Sequence, residues 1–267
     1  MNSPSKIKNQ KSQFTSLWLD VIVLLAWGSL LLKYWLTGQL KLLIHPNYFW
    51  LVFVTSMILL ILGSIRALQL LRGKKTDSIG HINVLPKGWA STLLIVTAIV
   101  GFLVSPGVLT SQTALKRGIT DSLPEVRSQP DSFRLSIRPE ERSLIDWVRT
   151  LNAYPEPEAY EGQKAKVSGF VVHLPQLPDN YLLISRFVIT CCAVDAYPVG
   201  IPVKLETSRD NYKPDTWLEI EGETIVETIP TESSDNNETV YDKRRLVIAA
   251  QSLKKIPTPK DPYNYHS

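Results

Sequence analysis

The sequence predicts a membrane-anchored α+β protein, with three N-terminal transmembrane helices ahead of an extracytoplasmic, mainly β domain. Three observations predict it. Long apolar runs crowd the chain before Pro106, period-two alternation takes over after Gln163, and charge divides where hydropathy does. Of the 29 Lys and Arg, 10 lie in residues 1–106, against only Asp20 and Asp77 of the 25 acids. Residues 107–267 hold 19 basic and 23 acidic residues. The net charge of +4 is therefore no sign of nucleic-acid binding, because the part that folds in water is slightly acidic. On this division, residues 1–16 are a cytoplasmic tail, 17–108 a three-helix membrane domain, 109–134 a linker and 135–267 the outer domain.

The three apolar stretches run from about Leu17 to Thr37, Phe49 to Leu71 and Trp89 to Val108. At 1.5 Å per residue, roughly 20 residues cross a hydrocarbon core of ~30 Å. Trp18, Tyr34, Trp35, Tyr48, Phe49 and Trp50 stand where an aromatic belt meets the interfaces, and Pro106-Gly107 closes the third stretch. Lys6, Lys8 and Lys11 precede the first helix, and Arg72, Lys74, Lys75 and Lys87 lie between the second and third. The first loop carries only Lys41. Positive loops stay inside, so the N-terminus is expected in the cytoplasm and the chain after 108 outside a bacterial plasma membrane. The first stretch is too long for a signal peptide, and no A-x-A site follows it. Asp20, Lys33 and Arg66 fall within the spans near their ends, where snorkelling to headgroups or water is expected. Gly28, Ser29, Ser56, Gly63 and Ser64 are small enough to let another helix approach closely.

Beyond the linker, residues 140–151 carry an apolar stripe of Leu144, Ile145, Trp147, Val148 and Leu151 at helical spacing. Pro139 with Glu140 and Glu141 suits the start of that helix, and Pro155 and Pro157 suit its end. Strands are expected at 164–174, 181–189, 200–206, 216–226 and 245–256, with a solvated hairpin loop at 230–239. Glycines within or after the first and fourth strands permit the bending that closure needs. The expected result is an OB-like five-stranded barrel with one short preceding helix, and a β-sandwich is the competitor.

Few residues here carry chemistry. GxSxG, a phosphate loop and a dinucleotide fingerprint are missing from the sequence, and no enzyme activity is expected. Glu156, Glu158 and Glu161 sit among prolines and read as a solvated turn. Two adjacent cysteines exclude a disulfide scaffold and a four-cysteine zinc site. The unusual patch is ITCCAVDAYPVG, 189–200. Cys191, Cys192 and Asp195 there, with His173 from the first strand, are the candidate ligands of a thiophilic ion such as Zn. Successive strand residues point to opposite faces, so both sulfurs reach one ion only if the backbone turns. A vicinal disulfide is a second reading. A third is structural, with one Cys packed in the barrel and Asp195 bonding within a turn.

Three apolar stretches, a short helix, strands bearing CCAVD (191–195) and a tail Asp261-Pro262-Tyr263-Asn264-Tyr265 together resemble the bacterial family DUF1980. The resemblance extends over essentially the whole chain. Its members are described as subunits of a two-component permease, found beside a multi-spanning permease of the ArsP/DUF318 type. The resemblance implies an accessory subunit rather than the pore, in contact with membrane lipid and with no nucleic-acid partner. At the [H/C]-C-x-x-D patch it implies that Cys191 stands where relatives also carry His, and that Cys192 and Asp195 match. Some relatives carry a His- and Asp-rich run in the second loop, whereas residues 72–88 here offer only Asp77 and His81. Alternatives to the permease subunit are an envelope binding or scaffold module and a membrane-bound thiol redox protein.

Overall fold

The computed structural model describes residues 4–72, 89–119, 138–232 and 240–265. The loop residues 73–88, most of the expected linker and hairpin residues 233–239 lie outside the described residues. The chain divides into two compact units, Met1–Gly107 and Val108–Ser267.

The first unit is helical: α1 (Pro4–Leu36), α2 (Phe49–Leu71) and α3 (Trp89–Leu103). Leu17–Leu36 and Pro46–Leu71, 20 and 26 residues, are long and apolar enough to cross a membrane. The third stretch was expected to reach Val108, but its helix has 15 residues and stops at Leu103. That is a rise of about 22 Å. Small residues join α1 to α2. A Cβ on Gly28 would sit 2.9 Å from Leu60, and one on Gly63 would sit 2.8 Å from Leu25. Buried Ser56 donates its hydroxyl to the Gly28 carbonyl at 2.8 Å. Gly28, Ser56 and Gly63 are thus occupied within the unit, while Ser29 and Ser64 stay exposed.

Polar side chains join α1 to α3. Ser91 donates to the Asp20 carboxylate (2.8 Å), Trp27 Nε1 to Leu94 O (3.0 Å), Tyr34 Oη to Gly101 O (2.7 Å) and Lys33 Nζ to Phe102 O (2.9 Å). The two helices therefore run parallel. Asp20 meets the first turn of α3 and Lys33 its last carbonyls, which complements the helix dipole at both ends. Asp20 and Lys33, expected to reach water or headgroups, thus each also have a partner within the unit. Arg66 is exposed.

The second unit opens with α4 (Ser111–Arg117), a helix within residues expected to be linker. Helix α5 is Leu144–Ala153, later than the 140–151 expected. Pro139–Glu141 forms a separate 3₁₀ turn. Ser143 then caps α5 reciprocally: its Oγ accepts from the Asp146 N–H and Asp146 accepts from the Ser143 N–H. This capping box is a stronger start signal than the proline. The five expected strands are present as β1 (Lys164–Val172), β2 (Tyr181–Ile189), β3 (Tyr197–Lys204), β4 (Trp217–Glu232) and β5 (Val240–Lys255).

These strands close into a barrel in the order β1-β4-β5-β3-β2-β1. All pairs are antiparallel except β3–β5, which is parallel through Val203↔Ile248 and Lys204↔Ala249. Two glycines allow the closure. A Cβ on Gly169 would lie 2.5 Å from the Ser185 carbonyl oxygen. One on Gly222, at a bulge against β5, would lie 2.1 Å from the Ala249 oxygen. Inward residues such as Val171, Leu182, Ile184, Leu218, Ile220 and Ile248 form the core, and α5 adds Trp147, which is fully buried.

A sixth strand, β6 (Tyr263–Tyr265), pairs in parallel with the end of β2, Phe187↔Tyr263. It was not expected from the sequence. Tyr263 is 3% exposed and packs edge-on against Phe187, which stacks on Phe170. Arg186 donates to Asn264 Oδ1 (3.0 Å) and to Ser168 O (2.9 Å) while lying 5.3 Å from the Trp217 ring centre. The DPYNY tail is thus a strand that covers an aromatic cluster on the outside of the barrel.

Candidate metal centre

The loop from Thr190 to Ala196 joins β2 to β3. Ile189 ends the ladder, and the Asp195 carboxylate takes over as acceptor. It receives the N–H of Cys191 at 2.6 Å and of Cys192 at 3.2 Å, while the Asp195 N–H donates to Cys192 O at 3.0 Å. Capturing two successive amides turns the backbone away from the strand alternation. Both sulfurs therefore come to one side, with Sγ–Sγ 3.6 Å. One ligand atom from each of Cys191, Cys192 and Asp195 lies within 4.8 Å of the others. Two sulfurs on a tetrahedral ion with 2.3 Å bonds stand about 3.8 Å apart, so this spacing suits shared coordination.

The electrostatics are set by one proton. The Cys191 thiol is pushed up to about 12, mainly by its hydrogen bond to Asp195 and then by its bond to Cys192. Burial works to raise the Asp195 carboxyl. The bonds from the Cys191 thiol and from the backbone N–H groups of Cys191, Cys192 and Thr190 outweigh it and hold the carboxyl below its ordinary range. A thiophilic cation would take the place of that shared proton. The same shift works against a nucleophilic role for Cys191, because the thiolate is the reactive form.

His173 is not brought to this cluster. Val172 pairs with Leu183 near the start of β2, whereas Cys191 follows the end of β2. Eight residues of strand separate the two levels by roughly 25 Å. His173 Nε2 instead lies 2.8 Å from Tyr212 O. β1 does pair with β2, but that pairing places the imidazole at the opposite end of the barrel. A cavity of about 160 Å³ between α5, Gly200–Pro202 of β3 and Lys243–Leu246 of β5 includes no residue of the cysteine loop. At its rim Arg244 pairs with Glu158 at 2.6 Å.

Sequence reasoning missed Arg117. Its Nη1 donates to the carbonyls of Ala193, at 3.2 Å, and Ala196, so α4 grips the cysteine loop. A lone arginine in a polar stretch carries no signal by itself.

The arrangement defines a class: an apolar helical unit followed by a closed five-stranded β-barrel that displays a thiol–carboxylate cluster on one inter-strand loop. The sequence pattern of the DUF1980 N-terminal domain matches residues 19–120, and that of the DUF1980 C-terminal domain matches residues 124–266. The chain belongs to the DUF1980 family. No curated protein and no solved structure matches it.

Proposed function

We propose that this protein is the accessory subunit of a membrane permease of the ArsP/DUF318 type, and that its outer barrel binds a thiophilic ion at Cys191, Cys192 and Asp195. The observation that carries the ion reading is the convergence of three donor atoms within 4.8 Å on an exposed loop. Thiolate sulfur suits soft and borderline ions such as Zn²⁺. Strand order 1-2-3-5-4-1 with a parallel β3–β5 contact supports an OB-like barrel, a fold that binds ligands on strands and adjoining loops.

The membrane reading extends to three spans. Hydrogen bonds from Asp20 to Lys33 of α1 keep α3 alongside a helix long and apolar enough to cross a membrane, which supports a third span. Charge bias between the loops supports a cytoplasmic N-terminus and an extracytoplasmic barrel. In a Cys191→Ser, Cys192→Ser background, Thr207→Cys should react with an impermeant maleimide in intact cells, and Ser78→Cys only after permeabilisation. Labelling of Ser78→Cys from outside overturns the orientation.

One observation favours a second reading, an envelope binding module without a transport role. Gly28, Ser56 and Gly63 are occupied within the helical unit, which leaves large aliphatic side chains such as Ile61, Leu93 and Leu103 on its surface. Purification of the tagged chain from native membranes separates the two. A multi-spanning permease recovered in a fixed ratio supports the subunit, and its absence supports the module. For the ion, the purified full chain should bind one Zn²⁺, and Cys192→Ser should abolish binding. A wild-type chain that binds none retires the ion reading.

A further inference from the structure

We infer that Arg117 is a positioning residue for the ion-binding loop, and that docking of the connector Val108–Gly118 onto the barrel is coupled to occupancy of that loop. The inference rests on the thiophilic-ion reading above. Between Ile189 and Tyr197 the chain has only an isolated bridge at Cys192 and a turn over residues 193–195, so its shape depends on what bonds it. Asp195 bonds it from within. Arg117 bonds it from outside, with one guanidinium nitrogen donating to the carbonyls of Ala193 and Ala196. Those residues flank Val194 and Asp195, so the guanidinium sets the peptide planes from which the Asp195 carboxylate projects. The carboxylate in turn sets both cysteine amides and hence both sulfurs. A planar, delocalised cation that holds two carbonyls is a stiffer brace than a lysine ammonium. Its charge also offsets that of the two thiolates and the carboxylate, which together carry one more negative charge than a divalent ion neutralises.

The rest of the connector is fastened to the barrel at two further points. The Leu109 N–H donates to the Tyr263 hydroxyl at 2.7 Å. The Ser111 N–H donates to the Asp215 carboxylate, and Asp215 is held in the left-handed region at φ 68° while its own N–H bonds Val171 O. Ser111 and Ala114 are buried, at 3% and 0% exposure. One short segment thus touches the tail strand, the β3–β4 loop and the cysteine loop. It also follows directly on the helical unit in the chain. Coupling between binding and docking is reciprocal. If a docked Arg117 favours the ion, the ion favours a docked connector, and occupancy is registered in the segment that follows the helical unit in the chain.

The test uses the full chain in detergent micelles. Zn²⁺ is titrated against a chromophoric chelator for wild type, Arg117→Gln and Arg117→Lys, with the melting temperature of each ion-free protein recorded. Loss of an outer-layer partner typically weakens metal affinity by about 10–100-fold. Arg117→Gln should fall in that range, and Arg117→Lys should recover part of the loss by restoring the charge. Hydrogen exchange of peptides covering residues 108–118 supplies a reading that needs no variant. Zn²⁺ should slow it in the wild type and leave it unchanged in Arg117→Gln. If wild type and Arg117→Gln bind Zn²⁺ equally, or if Zn²⁺ leaves wild-type exchange at 108–118 unchanged, the coupling is overturned and the ion reading stands. A wild type that binds no Zn²⁺ overturns both.

Discussion

Both units bond serine hydroxyls to backbone carbonyls and pack closely at glycines, but what meets those glycines, and what surrounds each unit, differs. In the helical unit, Ser56 bonds a backbone carbonyl of α1, and Gly28 and Gly63 admit leucine side chains. In the barrel, Ser185 bonds the Val199 carbonyl at 2.8 Å, and Gly169 and Gly222 face carbonyl oxygens. Yet Trp50, Leu71 and Trp89 are 66%, 71% and 70% exposed, whereas Trp147 and Trp217 are 0% and 5%. The difference teaches that the first unit packs by close backbone approach and polar ties, and the second by enclosing apolar side chains. On the membrane reading proposed above, a change of solvent from lipid to water accounts for that difference.

The largest effect expected from this contrast comes from Trp147→Ala. Truncating a fully buried tryptophan should cost the barrel about 3–5 kcal/mol. Thermal melting of the full chain should show the β signal lost early while the helical signal persists. Simultaneous loss of both signals would break the comparison, since the units would then be one cooperative body.

Next come the glycines. Gly222→Ala drives a Cβ into a backbone oxygen that cannot move without opening the β4–β5 ladder, and should cost about 3 kcal/mol. Gly63→Ala meets the end of the Leu25 side chain, which can rotate, and should cost about 1 kcal/mol. Equal losses in denaturant titrations of the full chain would show that the α1–α2 contact is as rigid as the barrel.

The serines sharpen the contrast further. Ser185→Ala should cost about 1 kcal/mol. If the helical unit lies in a membrane, as proposed above, Ser56→Ala should cost about 0.6 kcal/mol, because a chain unfolded there finds other partners for its polar groups. A larger loss at Ser56 would reverse the ranking of the two media.

The smallest effect is in the cysteine loop and depends on pH. Asp195 has a lowered carboxyl pKa, so its contribution is complete above the ordinary carboxyl value of about 4 and is lost as pH falls through the lowered one. Cys191 has a raised pKa. Its contribution is complete below the ordinary thiol value of about 8.5 and fades as pH rises towards about 12. Between those limits the loop should be indifferent to pH. Asp195→Asn should flatten the acid side of the stability profile. It should also speed alkylation of Cys191 at pH 8, since the thiol is exposed but held protonated. Alkylation at the same rate in both proteins would remove Asp195 as the cause.

Local signals by themselves determined much of this protein. Alternation located strands such as β1, where one face meets the core and the other water, and a continuous apolar, β-branched run located β2, which is buried on both faces. The helical stripe located α5, although its start was read at Pro139 instead of at the Ser143–Asp146 cap. Length and hydropathy located the apolar helices, and short motifs in order identified the family. The tertiary structure alone decided which distant residues meet. Strand pairing sent His173 to one end of the barrel and the cysteines to the other. A carboxylate three residues beyond Cys192 turned both sulfurs to one side. Lys33 and Asp20 found partners about 70 positions away on α3, at |i−j| of 69 and 71. Tyr263 and Arg117 acquired their roles only when the chain brought them back to β2 and its loop. Periodicity records the solvent that a residue faces, and it carries no record of which neighbour, far along the chain, completes a hydrogen bond.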